Sequence, residues 1–213
     1  MLELFLASLV TFFVVIDPPG VVPMFATLTQ DMPPAWRRYM AWKSVAIATG
    51  ILLGFAFGGE WLLDKLHVSL DAFRIAGGLL LFLIAIDMLF ETRTQRREAR
   101  NAKVIEERHA HPGEHEDISV FPLAIPLIAG PGSIASIMLL FAQHGDWTGR
   151  AAVLGGVAVN LLLTLAAFML AARLSHMIST TVTAMVTRIF GIILAALAAQ
   201  FTIDGIKSAF GLG

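Results

Sequence analysis

The sequence predicts an all-α membrane protein of six transmembrane helices, arranged as two inverted three-helix repeats with helices 1 and 4 broken at Pro-Gly motifs. Three observations carry that expectation. Of 213 residues, 57 % are hydrophobic and 15 % charged, and the mean hydropathy is +0.76, outside the balance of a soluble domain. The apolar runs reach the roughly 20 residues that cross a hydrocarbon core as a helix, and they do not alternate like the ~10-residue strands of a membrane barrel. Punctuation also recurs: a shift of 112 residues lays Pro19-Gly20 on Pro131-Gly132, and one of 114 lays Arg74-Ile75-Ala76-Gly77 on Arg188-Ile189-Phe190-Gly191. With three spans per copy, an odd number, the second copy enters the membrane from the opposite side.

The first span runs from Leu2 to about Leu28 and is interrupted by Asp17-Pro18-Pro19-Gly20 and by Pro23, because proline removes an amide donor and clashes with the preceding turn. Its unbroken opening, without a basic n-region, is expected to be a retained first helix. After a loop over 29–38 the second span covers about Tyr39 to Leu63, and the third about Leu70 to Glu91. Residues 92–118 form the one long hydrophilic segment, expected to begin as a helical extension and end as a loop. The fourth span, about Ser119 to Gln143, is broken by Pro126 and by Gly130-Pro131-Gly132. The fifth runs from about Gly149 to Arg173 and the sixth from about Thr187 to Lys207. The domain reading is therefore 1–91, first repeat; 92–118, hydrophilic loop; 119–213, second repeat.

Cations set the orientation. Arg37 and Arg38 precede the second span, Lys43 lies just inside it, and Arg93, Arg96, Arg97, Arg100, Lys103 and Arg108 fill the central loop. The positive-inside rule places that loop in the cytoplasm and both termini outside. A net charge of −1 with one basic cluster argues against a nucleic-acid partner. The lack of Cys removes disulfides and thiol chemistry. No nucleophile elbow, phosphate loop or dinucleotide glycine pattern is present, so an enzyme is not expected.

The paired breaks are the strongest functional signal, since unwound backbone at membrane depth is tolerated only where it is buried in protein or lines a wet cavity. Half-helices aim their N-terminal amides at anionic substrate groups. The candidate substrate site is therefore Pro19, Gly20 and the following amide of Val21, with Pro131, Gly132 and Ser133, the serine adding a hydroxyl. Asp17 is read as a titrating or cation-coordinating group and equally as the cap of the second half-helix; the two are compatible. Asn160 is read as a neighbour of the site, with helix joining as its alternative.

Asp87 and Asp204 are read as interface carboxylates, and Arg74 and Arg188 as structural cations. Gly50, Gly54, Gly155, Gly156 and Gly191 are read as close helix contacts, and Gly155-Gly156 alternatively as room for a solute. His109, His111 and His115 with Glu114, Glu116 and Asp117 are a compositional metal signal in a loop expected to be merely solvated. No cofactor is expected beyond a coupled H+ or Na+, and the partners expected are a small solute and membrane lipid.

Three stretches resemble the MarC family of integral membrane proteins: Asp17 to Phe25 (DPPGVVPMF), Phe121 to Ile134 (FPLAIPLIAGPGSI) and Thr187 to Gly205 (TRIFGIILAALAAQFTIDG). The likeness covers the whole chain except the central loop. The resemblance implies a six-helix fold and, by analogy with its transporter members, ion-coupled carriage of glycine, alanine and similar small neutral amino acids. The alternatives are a non-transporting assembly or regulatory protein acting through its cytoplasmic loop, or an exporter of another small solute.

Overall fold

The computed structural model describes residues 1–30, 32–90, 117–171 and 180–212, with Arg96, Ala99 and Ala102. The histidine-bearing stretch and most of the arginine-rich part of the central loop lie outside the described residues. Eight helical segments follow one another among the described residues: α1 (Leu2–Ile16), α2 (Pro18–Leu28), α3 (Pro34–Lys65), α4 (Leu70–Leu89), α5 (Ser119–Ile128), α6 (Pro131–Ala142), α7 (Trp147–Met169) and α8 (Thr180–Ala209). Among the described residues, five helices or helix runs are long and apolar enough to cross a membrane, and the bent pair α5 and α6 makes a sixth. Their outward faces carry large apolar side chains, among them Trp42, Phe57, Phe82, Leu162 and Ile192, as a lipid-facing surface requires.

Several ends are set by local chemistry. Ser69 caps α4, its hydroxyl accepting from Ala72 N at 3.1 Å, and Asp146 caps α7, accepting from Gly149 N at 2.8 Å. The Arg37 guanidinium donates to Thr29 O at 3.1 Å and to Gln30 O at 3.3 Å, satisfying carbonyls at the end of α2. Two helices are longer than predicted. α3 begins at Pro34 rather than Tyr39, because proline is tolerated in a first helical turn, and α8 reaches back to Thr180, so that Arg188 lies two turns inside it rather than at its start. Arg74 pairs with Asp71 of its own helix at 3.6 Å.

Packing is reciprocal between the two halves. α1 lies mainly against α7, α3 against α5 and α6, and α4 against α8 along most of their lengths. Glycines permit the closest approaches. A Cβ on Gly78 would fall 2.8 Å from Ala198 O, one on Gly191 3.1 Å from Ala85 O, and one on Gly156 2.8 Å from Leu9 N, where backbone packing supplies the attraction that hydrophobicity cannot in lipid. The expectation for Gly155-Gly156 resolves toward packing, since Phe5 and Ser8 of α1 fill that space. Gly50 and Gly54 do not make the expected contacts: nothing lies within 4 Å of either Cβ position, because that face of α3 turns outward. Phe25 stacks on Phe168 at 4.3 Å, and Phe13 meets Phe190 edge-on at 5.4 Å, joining α2 to α7 and α1 to α8.

Candidate functional site: two interrupted spans

The first interruption is a single residue. Asp17 adopts a left-handed conformation, φ 58° and ψ 64°, between α1 and α2, a geometry that aspartate tolerates better than most residues. Pro18, Pro19 and Gly20 form the first turn of α2 rather than a gap. Pro18 has no amide hydrogen to leave unsatisfied there. Gly20 N donates to Asp17 O at 3.0 Å and to Asp17 Oδ1 at 3.2 Å, and Val21 N donates to Asp17 O at 3.1 Å. The amides predicted to face a substrate at this end are thus engaged by Asp17, which is fully buried and also accepts from Thr187 Oγ1 of α8 at 3.4 Å. Gly20 is required for this arrangement, since a Cβ there would lie 2.1 Å from Asp17 Oδ2.

The second interruption is wider and open. α5 is wound loosely, with Leu123 N bonded to Ile118 O and Ala129 N to Ala124 O, and with extended backbone at Phe121 and Ile125 preceding Pro122 and Pro126. The chain then bends by 56° into α6. Among the described residues, no side chain caps α6. Pro131 has no N–H, and Ile134 N is the first to bond within the helix, to Gly130 O at 3.0 Å. Gly132 and Ser133 therefore carry the amides that have no intrahelical acceptor. These residues open into a cavity of about 250 Å³ walled by Val15, Leu80, Ile84, Pro126 and Leu127, with Asp87 and Arg96 on its lining. Gly132 sits against three of the surrounding side chains: a Cβ there would fall 3.0 Å from Ile84 Cδ1 and Val15 Cγ1, and 3.3 Å from Leu81 Cδ2. Val15 belongs to the last turn of α1, so the cavity adjoins the first interruption as well.

The other predicted residues divide between the cavity and the packing. The Ser133 hydroxyl donates to Ile128 O at 2.8 Å and so ties the two arms of the bend together. Asn160 joins helices: its side-chain amide donates to Leu9 O of α1 at 2.8 Å and to Gly156 O at 2.9 Å, away from the cavity. Two polar residues were passed over by sequence reasoning. Asp87, read as an interface carboxylate, lines the cavity and pairs with Arg96, Oδ2 to Nη1 2.6 Å; its signal was a lone ionisable side chain late in an apolar run. Ser136 is fully buried with no hydrogen-bond partner for its Oγ among the described residues. Lying four residues beyond Gly132, it is on the same face of α6, one turn deeper.

At the margin of the bundle, Asp117 accepts hydrogen bonds from Lys43 and Ser119. Burial pushes its carboxyl up, but the hydrogen bonds from Lys43 and Ser119 outweigh that and hold it below its ordinary value of 3.8. Asp146 is held below its ordinary value by the Thr148 hydroxyl and then by the Gly149 amide.

The apolar outer faces, the crossing helices and the paired interruptions define a polytopic helical membrane protein. Its sequence matches the model of the MarC family of integral membrane proteins over residues 2–210, and the chain belongs to that family. Similar proteins include "UPF0056 membrane protein MJ1677" of Methanocaldococcus jannaschii, 38 % identical over 208 residues and 98 % of each chain. Another is "UPF0056 membrane protein YvbG" of Bacillus subtilis, 35 % identical over 94 % of this chain and 93 % of its own. A UPF0056 membrane protein of Archaeoglobus fulgidus is 35 % identical over 96 % and 93 %. No solved structure matches the chain.

Proposed function

We propose that this protein is a secondary transporter of small neutral amino acids, of the size of glycine or alanine, with the substrate carboxylate held by the α6 amides of Gly132 and Ser133. The observation that carries the reading is the uncapped N-terminus of α6 opening into a small, largely apolar cavity at a helix break. A helix N-terminus carries a partial positive charge of about half a unit, and in a low-dielectric cavity its unsatisfied amides favour an anionic group. The volume, about 250 Å³, lies below the roughly 300–1,000 Å³ of sites for drug-sized ligands. That favours a small solute over a large one.

The buried Asp17 carboxyl, adjoining the cavity through Val15, is the candidate for coupling to H+ or Na+. Reciprocal packing of α1 on α7 and α3 on α5 and α6 is what two inverted repeats would produce, and rocking of one repeat against the other would expose the cavity to each side in turn. The cationic central loop supports a cytoplasmic placement of that segment, with periplasmic termini, in a bacterial inner membrane. The protein acts as a carrier, not as an enzyme.

The test is Gly132→Leu in the full-length protein, assayed for glycine and alanine binding in detergent and for uptake into proteoliposomes. The leucine side chain would occupy the cavity between Val15 and Ile84, and binding and flux are expected to fall at least tenfold in a folded protein. Unchanged flux would refute the site.

A further inference from the structure

We propose that Asp87 recognises the substrate ammonium and makes this cavity selective for amino acids over simple carboxylates, with Arg96 as the internal cation that the ammonium displaces. The inference rests on the transporter reading above and assigns the second half of substrate recognition within it. Gly132, Ser133 and Asp87 line one cavity, and they come from different helices. Gly132 is in contact range of Ile84 on α4. Asp87 lies three residues further along α4, on the same face and about 4.5 Å along the axis. Amide donors and a carboxylate therefore face one small apolar-walled space, the complement of a compact zwitterion.

Asp87 is already paired with a cation, and the pair is unequal in depth. The Asp87 side chain is 28 % exposed, whereas that of Arg96 is 71 % exposed. Arg96 therefore reaches the carboxylate from the solvent side and can return to water at little desolvation cost, as an exposed ion pair is weak. An ammonium entering between Asp87 and the α6 amides replaces the guanidinium charge for charge. A carboxylate lacking an ammonium would leave Arg96 on Asp87 but would place its own charge near a second carboxylate, and an amine lacking a carboxylate would leave the α6 amides unanswered. Both are disfavoured against the zwitterion.

The experiment is calorimetric binding of alanine, glycine and propionate to the full-length, detergent-purified protein, wild type and Asp87→Asn, with Asp87→Glu as the charge-conserving control. The wild type is expected to bind alanine at least tenfold more tightly than propionate. Asp87→Asn should lose that preference by weakening alanine and sparing propionate, and Asp87→Glu should restore part of it. A merely structural role would weaken both ligands together, and that result overturns the assignment. So does alanine binding that Asp87→Asn leaves intact while Gly132→Leu abolishes it, an outcome under which the carrier reading survives. A wild type that binds alanine no better than propionate overturns the assignment without any variant, and one that binds no small amino acid removes the carrier reading along with it.

Discussion

Gly20→Ala isolates the chemistry of the first interruption. The new Cβ would lie 2.1 Å from Asp17 Oδ2 and 2.8 Å from Asp17 Cγ, so the carboxyl must swing away from Gly20 N and from Thr187 Oγ1. Losing a helix N-cap costs about 1 kcal/mol, and losing the hydrogen bond that the buried Thr187 hydroxyl donates to the carboxyl adds about 1–3 kcal/mol. Replacing glycine by alanine in a helix returns up to about 1 kcal/mol. The net expectation is a loss of about 1–3 kcal/mol in reversible unfolding in detergent micelles, followed by circular dichroism. Gly50→Ala is the control. Nothing lies within 4 Å of its Cβ position, so it should be neutral or stabilising by up to about 1 kcal/mol. A cycle with Asp17→Ala sharpens the test: the clash and the cap are one interaction, so Gly20→Ala should cost nothing once the carboxyl is gone. Equal stability of Gly20→Ala and Gly50→Ala, or simple additivity in the cycle, would refute the account of Asp17 as the cap.

Two further outcomes follow from the same geometry. Ala129→Asp would bury a carboxylate one residue before the α6 N-cap Gly130, at a site 1 % exposed, and is expected to weaken alanine binding at least tenfold in calorimetry and to lower the unfolding midpoint as well. For Asp117, whose folded-state value is depressed below 3.8, the stabilisation is present above that value and lost as pH falls through the lower folded one; Lys43→Gln should flatten this acid limb, and only slightly, because so exposed a pair is well screened by solvent.

The spans were legible because their signal is length and apolarity, which depend on no neighbour. Residues whose roles depend on a partner helix were legible only in part. The paired interruptions announced themselves through Pro18, Pro19 and Pro131, yet the prolines begin helices here and the interruptions fall one or two residues earlier, at Asp17 and at Ala129-Gly130. Proline at a first helical position and proline breaking a helix read alike in sequence, and only the residue before them decides. Asn160 was drawn toward the site by its polarity, whereas its partner is a carbonyl 151 positions away on α1. Asp87 was discounted because its closeness to a helix end is visible in sequence and the cavity beside it is not. Gly50 and Gly54 show the converse: glycine spacing alone cannot tell which face of a helix turns toward lipid.

The two interruptions differ for a reason that one position explains. The N-cap is Asp17 in α2 and Gly130 in α6. In the first half, therefore, the residue before the prolines brings its own acceptor, bends back to the Gly20 amide and seals the helix end against any other anion. In the second half the N-cap is Gly130, which has no side chain to offer, and α6 starts with its amides unanswered beside a cavity. Buried amides without partners are costly, yet a Cβ on Gly130 would fall 2.5 Å from Pro126 O, so this cap position has no room for a side-chain acceptor. A cavity-facing helix end that goes without it is what an arriving anionic group can complete. The closed end holds Asp17 in place against α8 through Thr187, and the open end meets Val15 of the turn just before it. Any movement of α1 relative to α6 therefore alters the cavity wall and the surroundings of the buried carboxyl together, the mechanical link that the proposed coupling of substrate to ion would need.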